Sequence, residues 1–208
     1  MKRICALTCS VLDAPPYPRD FVYGNYSRFF AALGFAPVYL PNQGAGQRAA
    51  LRALAPALVV FSGGNDLGQV RHRDRAEALW LSAALALKVP VLGICRGLQF
   101  LNSRFGGRLT LEAGAAEHVG RPHPARVGDP LWRRRLSVSL LKVNSFHRHG
   151  VMLKGLAPAL RPMADRLITL SKRDNLHARR QVLALVPDTA VVRRLFDITI
   201  TETGIADT

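Results

Sequence analysis

The sequence predicts an α/β domain with a mostly parallel central sheet flanked by helices. Strand-like and helix-like segments alternate over the first half of the chain, which is the order expected when helical crossovers join parallel strands. The segment Ala57–Phe61 is apolar throughout, as is typical of strands covered on both faces. The chain has 208 residues, of which 49% are hydrophobic and 21% charged, so it is long enough for a full hydrophobic core.

The elements of the first half follow one another in order. The first helix is expected to stop at Gly34 and the second strand at Pro41. Binding sites in parallel sheets lie at the carboxyl ends of the strands, so the segments that follow the strands are the candidates for function. The predicted elements are strand Arg3–Thr8, helix Tyr23–Leu33, strand Ala36–Leu40, helix Gln47–Leu54, strand Ala57–Phe61, helix Arg73–Leu87, strand Pro90–Ile94 and helix Gly97–Phe105.

The second half of the chain is less regular. We expect Leu109–Arg135, with its mixed His, Pro and Arg content, to be an irregular insertion. Residues 1–208 are expected to form a single domain. The remaining predicted elements are strands at Leu136–Val143, Leu167–Leu170 and Gln181–Val186, and a closing helix at Ala190–Phe196.

The chain is strongly basic, with a formal net charge of +15. Its arginines are scattered along the chain, among them Arg48 and Arg194, and only Arg133-Arg134-Arg135 form a run of three, with no zinc pattern or helix-turn-helix signature. A nucleic-acid-binding module is one interpretation, and a solvated basic surface that favours anionic ligands or an acidic partner is the other. The scattering favours the second, so we expect no specific nucleic-acid partner.

No apolar run reaches the roughly 18–20 residues that a membrane span requires. The first apolar stretch ends at Pro15-Pro16 without a cleavage pattern, so we expect a cytoplasmic protein with no membrane partner. The three cysteines, Cys5, Cys9 and Cys95, show neither metal-ligand spacing nor a disulfide framework. No metal is therefore expected, and Cys5 and Cys9 are predicted to be small buried core residues.

Cys95 has a different context, between a predicted buried strand and a predicted helix, in the motif Gly93-Ile94-Cys95-Arg96-Gly97. Glycines two residues before and after relieve crowding in such a turn, as in nucleophile elbows. The N-terminus of the following helix offers free N–H groups and a positive dipole end, which lower a thiol pKa and stabilise an oxyanion. A buried structural cysteine is the alternative, and the two glycines favour the nucleophile.

A second glycine-rich segment, Ser62-Gly63-Gly64-Asn65-Asp66, follows the preceding strand. Paired glycines at a strand end allow backbone N–H groups to approach a ligand closely, although a plain turn would look the same. Because it stands one strand–helix unit before Cys95, we interpret it as the other half of an oxyanion hole.

Together these motifs closely resemble class I glutamine amidotransferase domains, which implies a flavodoxin-like fold. The nearest branch is that of the γ-glutamyl hydrolases, similar to γ-glutamyl-γ-aminobutyrate hydrolases and γ-glutamyl-CDP-amidate hydrolases. The resemblance runs from the first strand to about Ala164, and the C-terminal part diverges from about residue 165. The segments that carry it are Ser62–Asp66, Arg73-Asp74 with Glu77, Gly93–Gln99, Phe105-Gly106-Gly107 and Val143-Asn144-Ser145-Phe146-His147.

The resemblance implies a role for each matching residue. Cys95 is the nucleophile that forms a γ-glutamyl thioester, and the backbone N–H groups of Gly64 and Arg96 form the oxyanion hole. The residues implied to bind the substrate are Gly63, Asn144, Ser145 and His147. Arg73, Asp74 and Glu77 are implied to brace the elbow, and a solvated first helical turn is the alternative for Asp74 and Glu77.

The end of the chain departs from the family. Members carry a Trp-His-Pro-Glu segment after the last long strand, whose His is the general base and whose Glu orients it. Here the matching strand Gln181–Val186 is followed directly by Pro187-Asp188-Thr189, so Asp188 stands as a remnant of the acid and the His is missing. The other histidines, of which none is singled out as a substitute base, include His118, His123, His147, His149 and His177.

Two functions remain open on this reading. The first is an enzyme, a cysteine-dependent γ-glutamyl hydrolase or glutamine amidotransferase that hydrolyses glutamine or a γ-glutamyl conjugate without a cofactor. The second is a catalytically impaired binding or scaffold protein, because thiol catalysis normally requires a base. Beyond a γ-glutamyl small molecule, the partners that the resemblance allows are a synthase or a second copy of the chain.

Overall fold

The structure is a computed structural model, and its chain divides into two compact units, residues 1–101 and 102–208. Each unit is considered by itself below. The residues that the structure describes are 3–12, 16–111, 119–126, 133–134, 137, 139–144, 146–151, 153–158 and 160.

A four-stranded parallel sheet forms the centre of the first unit. Its strands are β1 (Arg3–Thr8), β4 (Phe35–Leu40), β5 (Leu58–Phe61) and β6 (Val91–Gly93), in the spatial order β4-β1-β5-β6. The register is continuous, with Cys5 opposite Leu58 and Val60 opposite Leu92. The predicted α/β class and parallel sheet are therefore confirmed, and the carboxyl ends of β1, β5 and β6 lie at one edge of the sheet.

The helices α1 (Gly24–Ala32), α2 (Gln47–Leu54), α3 (Arg71–Ala86) and α4 (Arg96–Arg104) lie within one or two residues of the predicted bounds. Apolar positions at helical spacing on α3 are buried, among them Ala76, Trp80 and Ala84. The Trp80 indole nitrogen also donates to the Pro41 carbonyl oxygen at 3.0 Å, so α3 is fixed to the end of β4. No helix in the described ranges is long and apolar enough to cross a membrane.

The sequence did not predict the small antiparallel hairpin of β2 (Ser10–Leu12) and β3 (Arg19–Phe21). Strands of three residues are too short to produce a readable two-residue periodicity. The hairpin matters for the site because Ser10 and Val11 of β2 contact the loop after β5.

The second unit contains two short antiparallel pairs within its described residues. Strands β7 (Thr110–Leu111) and β10 (His149–Gly150) form one pair, and β8 (Pro122–Arg126) and β9 (Leu140–Asn144) form the other. β8 corrects the expectation that Leu109–Arg135 is irregular throughout: a strand paired on one side tolerates proline. The 3₁₀ turn Leu153–Gly155 follows, and the elements predicted beyond residue 160 lie outside the described residues.

Candidate active site

Cys95 sits on a tight turn between β6 and α4, as the motif predicts. Its φ of 54° lies in the left-handed region, which is costly for a residue with a Cβ atom and is found at sites where the surroundings impose it. The turn is closed by Gly97 N–H donating to the Ile94 carbonyl at 2.9 Å, and Ile94 N–H donates to the Phe61 carbonyl at 3.0 Å. Cys95 as a residue is half-buried.

The two flanking glycines are required by sterics. A Cβ atom on Gly93 would lie 2.6 Å from the carbonyl carbon of Gly97, and one on Gly97 would clash with the carbonyl oxygen of Phe61. Both neighbours are backbone atoms that cannot rotate away. The elbow therefore depends on close backbone approach at both positions, as the sequence motif predicts.

The glycine-rich loop after β5 lies against Cys95. A Cβ atom on Gly63 would be 3.5 Å from Cys95 Cβ and 3.9 Å from Cys95 Sγ. Gly64 has a φ of +91°, which favours glycine. Within the described residues the Gly64 N–H donates no hydrogen bond, and Arg96, as the first residue of α4, has an N–H without an intrahelical acceptor. Gly63, Gly64, Cys95 and Arg96 are thus brought together in the first unit.

Arg73 of α3 lies beneath this loop with its side chain fully buried. Its Nη2 donates to the carbonyl oxygens of Ser62 at 3.1 Å and Gly63 at 2.9 Å. Nη1 donates to Asn65 Oδ1 at 3.0 Å, and Nε donates to Glu77 Oε1 at 3.2 Å. Burial lowers the pKa of the Arg73 guanidinium, whereas the Glu77 carboxylate raises it. The guanidinium remains charged, because arginine keeps its proton in proteins.

The carboxylate of Glu77 is fully buried between two guanidinium groups. It accepts hydrogen bonds from Arg73 Nε and, at 2.8 Å, from Thr8 Oγ1. Its other oxygen pairs with Arg96 Nη1, while Arg96 Nη2 pairs with Asp74 Oδ1. Two cations around one buried carboxylate compensate the desolvation that an isolated charge would suffer. Glu77 is therefore a bracing residue and not part of a solvated helical turn.

Three further contacts support the loop, and two of the side chains that make them, Tyr26 and Ser10, carry no readable sequence signal. Tyr26 Oη accepts a hydrogen bond from Gly63 N–H at 3.0 Å. The Ser10 hydroxyl donates to the Gly63 carbonyl at 2.8 Å. Asn65 pairs with the backbone of Val11, accepting from its N–H at 2.9 Å and donating to its carbonyl at 2.8 Å. These contacts join segments more than 30 residues apart, so only the fold brings them together.

The other two cysteines are in the core, as expected. Cys5 is completely buried and Cys9 is 4% exposed. Burial raises the pKa of the Cys5 thiol to about 12. Burial, reinforced by the Asp20 carboxylate, raises the pKa of the Cys9 thiol to about 11. Both stay protonated at neutral pH and are poor nucleophiles.

The predicted substrate-binding residues of the second half belong to the second unit. Asn144 is exposed at the end of β9, opposite Pro122 of β8, and His147 is half-buried. Their roles stay predictions. Ser145, Asp188 and two of the histidines considered as bases, His118 and His177, lie outside the described residues. Within the described ranges no cluster of metal-ligating side chains is found.

Residues 13–167 match the family described as Peptidase C26. Two solved structures are similar at low sequence identity. A glutamine amidotransferase from Thermotoga maritima has a TM-score of 0.49 and 14% identity, over 99% of this chain and 100% of that one. A glutamine amidotransferase from Methylobacillus flagellatus has a TM-score of 0.45 and 18% identity, over 72% of this chain and 57% of that one.

A second match concerns the C-terminal segment. Residues 152–203 match the family described as Ribosomal protein L17. The large ribosomal subunit protein bL17 of Clostridium acetobutylicum is 43% identical over 74 residues, which is 35% of this chain and 64% of that protein. The bL17 protein of Mesorhizobium japonicum is 48% identical over 62 residues, which is 30% of this chain and 41% of that protein.

Proposed function

Because the chain belongs to the Peptidase C26 family, we propose that Cys95 attacks the carbonyl group of a γ-glutamyl amide, either glutamine or a γ-glutamyl conjugate. The observation that carries this proposal is the elbow itself. Its nucleophile has a positive φ, two sterically required glycines flank it, and Gly63 packs against its side chain. A structural cysteine would need none of these features.

The reaction proceeds by acyl transfer. The Cys95 thiolate adds to the carbonyl carbon, a C–S bond forms, and the carbonyl electron pair moves to the oxygen. Collapse of this intermediate breaks the C–N bond, and the departing amine takes a proton from water. Hydrolysis then adds water to the thioester, releasing glutamate and the thiol. The reaction class uses no cofactor.

The residues around the thiol have distinct proposed roles. The N–H groups of Gly64 and Arg96 stabilise the oxyanion, since both lack another acceptor in the described part of the chain. Gly63, Asn144, Ser145 and His147 bind the glutamyl group. A synthase subunit or a second copy of the chain stays a predicted partner. The assignment to the γ-glutamyl hydrolase branch of the family also stays a prediction.

A full catalytic cycle requires a general base, and the family's His is missing from its expected place in this sequence. The family's His-Pro-Glu segment is expected after the last long strand, and here that part of the sequence falls within the L17-like residues 152–203. Asp188 stays a predicted remnant of its acid, and the His is missing. General-base assistance is worth about 10²–10⁴-fold, and water needs it more than a thiolate does. We therefore expect acylation of Cys95 to outpace hydrolysis of the thioester.

Intact-mass spectrometry tests this proposal. After incubation with glutamine or γ-glutamyl-p-nitroanilide, we expect a γ-glutamyl adduct that hydroxylamine removes. Cys95→Ala abolishes the adduct, whereas Cys9→Ala, a change at a buried thiol, leaves it intact. If neither an adduct nor product forms with any γ-glutamyl compound, the chain is not an acyl-transfer enzyme and the impaired binding or scaffold function is correct.

We also propose a second function, association of the C-terminal segment with the large ribosomal subunit. The observation in its favour is the 43% identity to bL17 over 74 residues. It competes with our expectation that the basic surface binds no specific nucleic acid, because ribosomes are built largely of RNA. Co-sedimentation with purified large subunits at physiological salt decides between the two, and absence of co-sedimentation would exclude this function.

A further inference from the structure

The direction of a backbone N–H is fixed by the carbonyl of the residue before it. The peptide unit is planar and trans, so the Gly63 carbonyl and the Gly64 N–H point in opposite directions. Whatever holds the Gly63 oxygen therefore also aims the Gly64 N–H. A loop containing two consecutive glycines has no intrinsic preference for one orientation of this peptide.

Two buried side chains hold that oxygen at short distance, and the buried Ser62 hydroxyl is a longer third donor at 3.4 Å. Arg73 Nη2 donates to it at 2.9 Å and the Ser10 hydroxyl donates to it at 2.8 Å. Both side chains are almost fully buried, at 0% and 2% exposure. Arg73 Nη1 also donates to the Ser10 hydroxyl oxygen at 3.3 Å, so the two donors fix each other as well as the carbonyl.

We propose that Arg73 and Ser10 are positioning residues that aim the Gly64 N–H at the developing oxyanion by holding the Gly63 carbonyl. This inference rests on the proposed acyl-transfer function. Arg73 acts through the peptide between Gly63 and Gly64, whose carbonyl oxygen accepts from its Nη2. Elbow and loop are further linked because Glu77 pairs with both Arg73 and Arg96.

A purely structural role is the competing interpretation, since a buried ion-pair cluster could merely fix α3 to the sheet. The two interpretations differ in which reactions of Cys95 they affect. Acylation by a γ-glutamyl amide passes through an oxyanion, whereas alkylation by iodoacetamide is a direct displacement that forms none. A positioning residue therefore affects acylation selectively, whereas damage to the elbow affects both reactions.

The experiment compares the two rate constants in the full-length chain. The acylation probe is γ-glutamyl-p-nitroanilide, followed by nitroaniline release and intact mass. Loss of one oxyanion donor costs about 10²–10³-fold, so Arg73→Gln should slow acylation by about that factor while alkylation changes less than about twofold. Arg73→Lys, which keeps one charged donor, should recover part of the loss. Arg75→Gln, an exposed arginine on the same helix, should change neither rate.

Ser10→Ala is the second variant, because Arg73→Gln leaves Glu77 with one partner fewer and could prevent folding. It removes one neutral hydrogen bond and should slow acylation by about tenfold at unchanged alkylation. Equal loss of both rates in both variants, or no loss of acylation in either, overturns the inference. A wild-type chain that forms no adduct instead overturns the proposed function, and this inference with it.

Discussion

Residues 58–97 contain the Cys95 elbow, whereas residues 152–203 resemble a protein of a different family. In the first region, β5, α3, β6 and the start of α4 bring together Cys95, the glycine-rich loop and a buried ion-pair cluster. In the second, the sequence matches the Ribosomal protein L17 family, and residues 152–167 belong to the Peptidase C26 match as well. The resemblance to class I glutamine amidotransferases implies a base in that second part, whereas the elbow of Cys95 lies wholly in the first.

The difference follows from how each part of a thiol active site is built. The elbow is local, because Cys95 and its glycines are consecutive and need only a strand and a helix. In the family that the chain resembles, the base is remote, because it comes from a separate strand end near the C-terminus. Divergence of the C-terminal sequence therefore does not by itself change the local geometry around Cys95.

The strongest test of the first region is Gly97→Ala. A Cβ atom at this position would lie 2.5 Å from the carbonyl carbon and 2.9 Å from the Cβ atom of Phe61. Overpacking usually costs 1–3 kcal/mol, and we expect the free energy of unfolding to fall by about 3 kcal/mol or more because the clash is with backbone. Chemical denaturation measures it.

Gly63→Ala is the matched comparison for that variant. Its Cβ atom would meet the Tyr26 hydroxyl at 3.0 Å and Cys95 Cβ at 3.5 Å, and the side chain of Tyr26 can shift. We expect a loss of about 1 kcal/mol. If Gly97→Ala were as stable as Gly63→Ala, the elbow would not depend on close approach at Gly97.

Thiol reactivity gives the next largest effect. Cys95 should be alkylated by iodoacetamide at pH 7.5 at least about 100-fold faster than Cys5 or Cys9, because a raised pKa leaves little thiolate at this pH. The raised pKa values are about 12 for Cys5 and about 11 for Cys9. Peptide mapping after brief labelling measures the ratio, and modification mainly at Cys5 or Cys9 would contradict the assignment of Cys95.

Charge reversal in the L17-like segment tests whether ribosome binding and Cys95 acylation depend on different regions of the chain. Arg179→Glu with Arg180→Glu should weaken co-sedimentation with large ribosomal subunits by about tenfold or more at physiological salt, because contacts to phosphate dominate such binding. The same change should leave acylation of Cys95 unaltered. The matched control is Arg48→Glu with Arg52→Glu, two exposed positions on α2, and equal weakening by the control would indicate non-specific attraction.

The smallest predicted effect is on stability at alkaline pH. The folded-state pKa of Cys5 is raised to about 12 and that of Cys9 to about 11, from an ordinary value of 9.0. Above pH 9 the unfolded chain therefore binds fewer protons than the folded chain, and the free energy of unfolding falls as pH rises. Cys5→Ala should make this fall shallower between pH 9 and about 11. An unchanged slope in denaturation curves would contradict the raised pKa.

The sequence alone determined the α/β class, the bounds of four helices and the position of the elbow. Each of these depends on short-range patterns: apolar runs, helical spacing and glycines two residues from Cys95. Membership in the amidotransferase-like class is confirmed at the level of the Peptidase C26 family. The missing His predicts divergence of the C-terminal part from about residue 165, but the sequence patterns did not predict the similarity to L17.

Only the tertiary structure decided what supports the elbow. The oxygen that aims the Gly64 N–H is held by Ser10, which is 53 residues from Gly63, and by Arg73, which is 10 residues away on another element. Nothing in the composition near Ser10 or Tyr26 indicates these contacts. Hydrogen bonds between distant segments depend on which strands become neighbours, and that is fixed by the packing of the whole sheet and not by any local pattern.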